Sequence, residues 1–284
     1  MVKFQKIGVV GSGVIGSGVA QLFAQTGHDV VLIDISEEQL ERARRGIAKN
    51  LKLATLLQKE RIDPAGVLAR LTTGREVAAL AGADFVIENI TEDWELKRRV
   101  HEEIHRVVGN DTPIAANTSA IPITKIASCG DHPERVVGMH FMNPVPLMPM
   151  VEVIRGAHTS DDTIAAAQTL AGQAGRQSIV VNDSPGFVTN RVMMLMVNEA
   201  MFLVHEGVAP AMDVDRLFKT CFGHKMGPLE TADLIGLDTV LRSLEVIYAE
   251  LNDSKYRPCP LLRKLVYAGT LGRKSGKGFH DYGS

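Results

Sequence analysis

Lys6-Ile-Gly-Val-Val-Gly11-Ser-Gly13-Val14-Ile15-Gly16-Ser-Gly-Val-Ala-Gln21 is the stretch from which the rest of the chain is read. Residues 7–10 form a short apolar run, the composition of a strand buried on both faces. Gly11, Gly13 and Gly16 follow in the order G-x-G-x-x-G, and residues 14–26 read as a helix. The first glycine permits a tight turn, the second lets backbone approach a pyrophosphate, and the third lets helix and strand pack closely. Val14 and Ile15 open the helix, whose unpaired N–H groups and positive dipole end suit a phosphate. A second apolar run, 30–33, ends in Asp34, at about the 20-residue distance that a dinucleotide fingerprint requires. A glycine-rich turn by itself is often only structural. Here strand, turn, helix, second strand and terminal acid occur in order, which points to a dinucleotide site. Asp34 is expected to accept hydrogen bonds from the adenosine ribose and to repel a 2′-phosphate. No arginine follows it directly, and Arg42, Arg44 and Arg45 fall within a predicted helix. NAD is therefore expected rather than NADP.

The chain has 284 residues, enough for one large or two ordinary domains. A net charge of −2 gives no reason to expect nucleic acid or an anionic membrane as partner. The N-terminal apolar run is interrupted by glycines and reads as the first strand, not as a targeting signal. No apolar stretch reaches the roughly 20 residues that span a bilayer. Cys129, Cys221 and Cys259 are odd in number and scattered, which fits a reducing compartment better than a disulfide framework or a zinc site. A cytoplasmic protein without a metal is expected.

Outward from the glycine turn, strand-like and helical segments alternate, the pattern of a parallel sheet wrapped by helices. Residues 37–61 read as one long charged helix, 68–73 as a return leg, and 85–90 as a core strand. A helix is expected over 93–108, with Glu95 and Lys97 to Arg99 on its exposed side. Strands follow at 114–117, 136–140 and 150–154, then a helix at 161–175 and a last strand at 177–181. The character changes at Asn182-Asp-Ser-Pro-Gly186. Beyond it, helices are expected over 187–206, 213–222, 229–251 and 261–268. Residues 192–197 are too apolar for a solvent-facing helix, and must be covered within the domain or by a second subunit. The expected architecture is an α/β Rossmann-type, mainly parallel sheet over 1–184 and an all-helical domain over 185–284, with a homodimer built on the latter. The basic tail from Gly272 to Tyr282 reads, on composition, as a flexible solvated end.

In open α/β sheets ligands bind outside the carboxyl ends of the strands. Ser119 and His140 stand at such ends, and Glu152 lies within the next strand. A lone histidine among apolar residues is more often a core residue than a catalyst. A carboxylate on the next strand changes that weighting, because it can hold the ring tautomer and stabilise imidazolium. The spacing leaves open whether the two side chains meet. No C-x-x-C is present to supply a metal site.

With these residues assembled, the chain resembles the 3-hydroxyacyl-CoA dehydrogenase family, nearly end to end. The resemblance is carried by Gly11-Ser-Gly-Val-Ile-Gly16, Val86-Ile-Glu88, Glu92-Asp-Trp-Glu-Leu-Lys97, Asn117-Thr-Ser119 and Gly138-Met-His-Phe-Met-Asn-Pro-Val-Pro146. It continues through Val151-Glu-Val153, Pro185-Gly-Phe187, Asn190-Arg191, Met226-Gly-Pro228, Asp233-Leu-Ile-Gly-Leu-Asp-Thr239 and Gly272-Arg-Lys-Ser-Gly-Lys-Gly-Phe279. The resemblance implies His140 as catalytic base and Glu152 as its paired acid. It implies Ser119 and Asn190 as partners of the substrate's 3-oxygen or its surroundings, in a site between the domains. It further implies Asp34, Glu92, Lys97, Asn117, Asn143 and Lys274 as cofactor residues beside the glycine turn, and a helical domain that dimerises. The implied reaction is NAD-dependent oxidation of an L-3-hydroxyacyl thioester, or its reversal.

Several positions depart from the family pattern. Asn89 and Ile90 replace small apolar residues, Lys225 replaces a proline, and His280 replaces an aromatic. Leu57 stands where a lysine commonly meets the CoA nucleotide, although Lys59 or Arg61 can reach a phosphate from a neighbouring turn. An acyl carrier protein in place of CoA is therefore an alternative. Others are a free hydroxy acid as substrate and a non-catalytic NAD-binding protein. The joint presence of His140, Glu152, Ser119 and Asn190 argues against the last.

Overall fold

The structure is a computed structural model and describes residues 3–57 and 62–283. By their contacts the residues fall into two compact units, one of residues 1–118 and 122–184, the other of 119–121 and 185–284.

The first unit alternates strands and helices: β1 (Lys6–Val10), α1 (Val14–Gln25), β2 (Asp29–Ile33), α2 (Glu37–Leu57), α3 (Pro64–Ala69), β3 (Leu71–Gly74), β4 (Phe85–Glu88) and α4 (Trp94–Val107). It continues with β5 (Ile114–Ala116), α5 (Ile123–Ala127), β6 (Val136–Phe141), β7 (Met150–Arg155), α6 (Asp161–Gln173) and β8 (Gln177–Asn182). The eight strands form one sheet in the order β3-β2-β1-β4-β5-β6-β7-β8. All neighbours are parallel except β6 and β7, which run antiparallel. Both faces of the central strands are covered, which is why runs such as Phe85–Glu88 are buried at every position. One core lies around Phe23, Leu32, Ile47 and Leu170. The other lies around Leu80, Val86 and Ile104.

The expected return leg over 68–73 is corrected. Residues 64–69 are helical, because Pro64 is at N1 and Asp63 caps the turn by accepting from the Ala65 N–H at 3.1 Å. The chain turns into β3 only at Leu71. The expectation for Lys97 is corrected as well. The residue is on the inner face of α4 and 0% exposed.

The second unit contains α7 (Thr189–His205), α8 (Ala211–Cys221), α9 (Pro228–Ile235), α10 (Leu237–Leu251) and α11 (Pro260–Tyr267). Its core gathers Met194, Val197, Met201, Leu229, Leu244 and Leu262. The single helix expected over 229–251 is two helices, because Gly236 has φ 98 and ends the first. Met194 and Val197 of the apolar run are buried, whereas Val192 is 65% exposed.

The tail is not a loose end. Asp233 accepts from the N–H groups of Phe279 and His280, at 3.0 Å each, and from Tyr282 Oη at 3.1 Å. Bridges of Lys277 with Gly272 and Asp281 close it into a small antiparallel fold. Among the described residues no helix is long and apolar enough to cross a membrane. Lys59, Arg61 and the side chain of Leu57 lie outside the described residues.

Candidate active site

The glycine turn opens the site. Helix α1 begins with Gly13 as N-cap, no capping side chain and no acid in its first turn, so its leading N–H groups keep no side-chain partner. A Cβ at Gly16 would stand 1.8 Å from the Gly11 carbonyl oxygen, whereas one at Gly13 would meet nothing within 4 Å. Close packing is needed on one side of the turn and open space is left on the other, an arrangement that fits an incoming pyrophosphate. Asp34 follows β2 and is held in place. Its Oδ2 accepts from the Ser12 N–H at 2.8 Å and Ser12 Oγ at 2.7 Å, and its Oδ1 from the Ser36 N–H at 3.0 Å. A cleft of about 840 Å³ extends from this turn, lined by Gly11, Gly13, Asp34, Arg75, Asn89 and Ile90 among others.

Beyond the turn, polar side chains tie the carboxyl ends of β4, β5 and β6 together. Asn117 Nδ2 donates to Asn89 Oδ1 at 2.7 Å, and Asn117 Oδ1 accepts from the Phe141 N–H at 3.2 Å. Asn89 Nδ2 in turn donates to the Ile87 carbonyl at 2.9 Å. The departure at Asn89 thus has a structural purpose that the sequence did not reveal. Thr118 Oγ1 donates to Glu92 Oε1 at 2.5 Å. Trp94, the single tryptophan, opens α4 two residues later and lies under Lys125, whose Nζ is 4.8 Å from the ring centroid.

Lys97 is brought to the end of β4 from inside. Its Nζ donates to Glu88 Oε1 at 2.7 Å, to Oε2 at 2.9 Å and to the Ile90 carbonyl at 3.3 Å. His101, one turn further along α4, places Nε2 3.0 Å from Glu88 Oε2. Glu88 also accepts from the Ile90 N–H at 2.6 Å. Burial on its own would push the Glu88 carboxyl up; the Lys97 charge and the His101 hydrogen bond outweigh it and hold the group below the usual carboxylate range. The i, i+4 spacing of Lys97 and His101 was the available sequence signal for a shared inner face.

At the end of β6 the antiparallel register sets His140 directly opposite Glu152. His140 Nδ1 lies 3.1 Å from Glu152 Oε2, and the residues are only 4% and 5% exposed. A buried imidazole oriented by a carboxylate is equipped to take up and return a proton. The reversal of β7 makes this pair, a feature of topology that linear spacing does not contain. Asn143 is exposed just beyond β6.

In the second unit, Asn190 Nδ2 donates to the Ser119 carbonyl at 3.1 Å. Ser119 belongs to this unit although its neighbour Thr118 belongs to the first. Lys274 Nζ donates to Asp238 Oδ2 at 2.6 Å. His280 also has a partner, with Nε2 2.6 Å from Asp215 Oδ2. Asp215, Glu230 and His280 have donor atoms within 4.8 Å of one another, a spacing compatible with a cation. Asp215 already accepts from the Leu229 and Glu230 N–H groups, and Glu230 from Lys219 Nζ at 2.6 Å. The cluster is thus bonded within the protein and fastens the tail.

Residues 6–184 match the family model described as 3-hydroxyacyl-CoA dehydrogenase, NAD binding domain, and 186–282 match its C-terminal domain. The chain belongs to the 3-hydroxyacyl-CoA dehydrogenase family. It is therefore an NAD-dependent oxidoreductase acting on CH–OH groups. A probable 3-hydroxybutyryl-CoA dehydrogenase of Deinococcus radiodurans is 46% identical over 279 residues, which are 98% of this chain and 100% of that relative. A probable 3-hydroxybutyryl-CoA dehydrogenase of Bacillus subtilis is 44% identical, over 99% of this chain and 98% of its own. The crystal structure of the (S)-3-hydroxybutyryl-CoA dehydrogenase of Ralstonia eutropha superimposes with a TM-score of 0.92 at 42% identity, covering 99% and 100% of the two chains. The Rossmann-type sheet and the helical second domain expected from sequence are both present.

Proposed function

We propose that this dehydrogenase oxidises an L-3-hydroxyacyl-CoA of the 3-hydroxybutyryl-CoA type to the 3-oxoacyl-CoA, and catalyses the reverse reduction. The observation that carries the reading is the buried His140–Glu152 pair at the carboxyl end of β6, in a unit whose first turn suits a dinucleotide. NAD, when bound, supplies the hydride acceptor. His140 takes the proton of the 3-hydroxyl group, acting through Nε2 because Nδ1 is engaged by Glu152. Glu152 keeps the ring in one orientation and stabilises the positive charge it acquires. In the reverse direction protonated His140 returns the proton to the ketone oxygen. Ser119 and Asn190 are assigned to the substrate's 3-oxygen on the motif match, supported by the Asn190 bond that braces the Ser119 backbone.

For the cofactor, the segment Gly11 to Gly16 is assigned to the pyrophosphate and Asp34 to the adenosine ribose. Glu92, Asn117, Asn143 and Lys274 are assigned to further contacts. Lys97 serves the same site through Glu88 and the Ile90 carbonyl that its amine holds. Two copies are proposed to pair through the helical unit, where Val188, Val192, Met212, Leu217 and Phe222 are all more than half exposed. Cys129, Cys221 and Cys259 are free thiols, which supports a reducing, cytoplasmic setting.

The test is consumption of NADH by the purified protein with acetoacetyl-CoA, with NADPH as control. NADH-selective turnover is expected. Turnover only with acetoacetyl carrier protein would reassign the thioester carrier. No turnover with either would overturn the reading.

A further inference from the structure

The assignment of Asp34 leaves Arg75, a cation of the same cleft, without a purpose. Ile33 is opposite Gly74 in the parallel pair of β2 and β3, and the Asp34 N–H donates to the Gly74 carbonyl at 3.2 Å. The next residue along each strand is therefore Asp34 on one and Arg75 on the other. Arg75 Nε donates to the Ile35 carbonyl at 3.3 Å, which fixes the guanidinium against the residue that follows the acid. Among the described residues Arg75 makes no ion pair, and it lines the same cleft as Asp34. Two of the arginines nearer in sequence are directed elsewhere. Arg44 Nη1 donates to the Leu71 carbonyl at 3.4 Å, and Arg45 pairs with Glu41 at 3.3 Å. Glu76, Glu103 and Arg106 complete the charged lining.

We propose that Arg75 is a second determinant of cofactor choice, a guanidinium set for the adenosine 2′ position whose attraction for a 2′-phosphate Asp34 cancels. The inference rests on the reading of Asp34 as the ribose partner. A planar guanidinium grips a phosphate with two parallel hydrogen bonds, so a cation placed here favours the phosphorylated dinucleotide. The carboxylate opposes it, because a like charge meets the incoming phosphate at close range. Asp34 cannot swing aside to admit that phosphate, since both of its oxygens are held by Ser12 and Ser36. Selectivity for NAD thus comes from one immobilised acid acting against a cation already in place.

The test is calorimetric binding of NADH and of NADPH to the full chain and to Asp34→Ser, Arg75→Ala and the double variant, with thermal melting to confirm that each is folded. Asp34→Ser is expected to weaken NADH and to raise NADPH affinity by about tenfold or more. Adding Arg75→Ala to Asp34→Ser is expected to remove that gain, lowering NADPH affinity at least about tenfold more than NADH affinity. A gain in NADPH affinity that survives Arg75→Ala would overturn the role of Arg75. An NADH affinity unchanged by Asp34→Ser would instead overturn the parent assignment of Asp34.

Discussion

At the carboxyl end of β4, His101 meets Glu88 at 3.0 Å; at the end of β6, His140 meets Glu152 at 3.1 Å, with only β5 between the two strands. Both pairs are buried, and both unite a histidine and a glutamate. They differ in what surrounds the carboxylate. Glu88 is locked by Lys97 through two short bonds and by the Ile90 N–H, and Glu88, Lys97 and His101 are all fully buried. Glu152 instead stands across an antiparallel strand pair from the histidine. A buried histidine–acid pair is therefore not in itself a catalytic signature. An acid neutralised by a lysine in a closed pocket braces a loop, whereas an acid facing a histidine at a strand end can tune a proton carrier.

Replacing each member separates the two roles. His140→Asn should lower turnover by about 10²–10⁴-fold while leaving cofactor binding and the melting temperature near those of the native chain. Steady-state rates with a binding titration check this, and turnover close to the native rate would collapse the distinction. Lys97→Met should act in the opposite sense on stability, leaving the Glu88 charge buried without its partner at a cost of about 3–5 kcal/mol, read from urea unfolding. Adding Glu88→Gln should restore part of that loss.

Glu152→Gln keeps the size of the side chain but removes its charge, and a loss in turnover on the order of tenfold to a hundredfold is expected with KM little altered. The smallest effect concerns acid. His105 is pushed down to about 4 by burial and by the Arg135 guanidinium. The unfolded chain therefore binds more protons than the folded one as pH falls from about 6.5 to about 4, and stability declines across that window. Glu88, whose folded pKa lies below 4.5, gives stability that is complete above that pH and is lost as pH falls through the folded value. Melting temperature against pH should thus fall in two stages, and His105→Gln should flatten only the upper one.

Much of the fold was legible because it is written locally. Ile7 to Val10, Gly11 to Gly16 and Asp34 fix strand, turn and acid within one short stretch. The alternation of apolar runs with amphipathic ones then implies a wrapped sheet. What escaped was set by pairing across the chain. Arg75 comes beside Asp34 only through the register of β2 and β3. His140 meets Glu152 only because β7 reverses direction. The charged helix around Lys97 implies a surface position, and only the Glu88 carboxylate at the end of β4 draws it inward. Lysines and glycines alone imply a loose tail, yet its order comes from Asp233, 46 residues before Phe279. Composition describes how a segment would behave alone, and these residues do not act alone.

The position of Trp94 gives the molecule an optical property. It is the chain's one indole, seated at the first turn of α4 beneath an ammonium group and two residues from Glu92. All tryptophan emission therefore originates at this single place. Reduced nicotinamide absorbs in the band where indole emits, so occupancy of the first unit can be followed as quenching, without a label and without turnover.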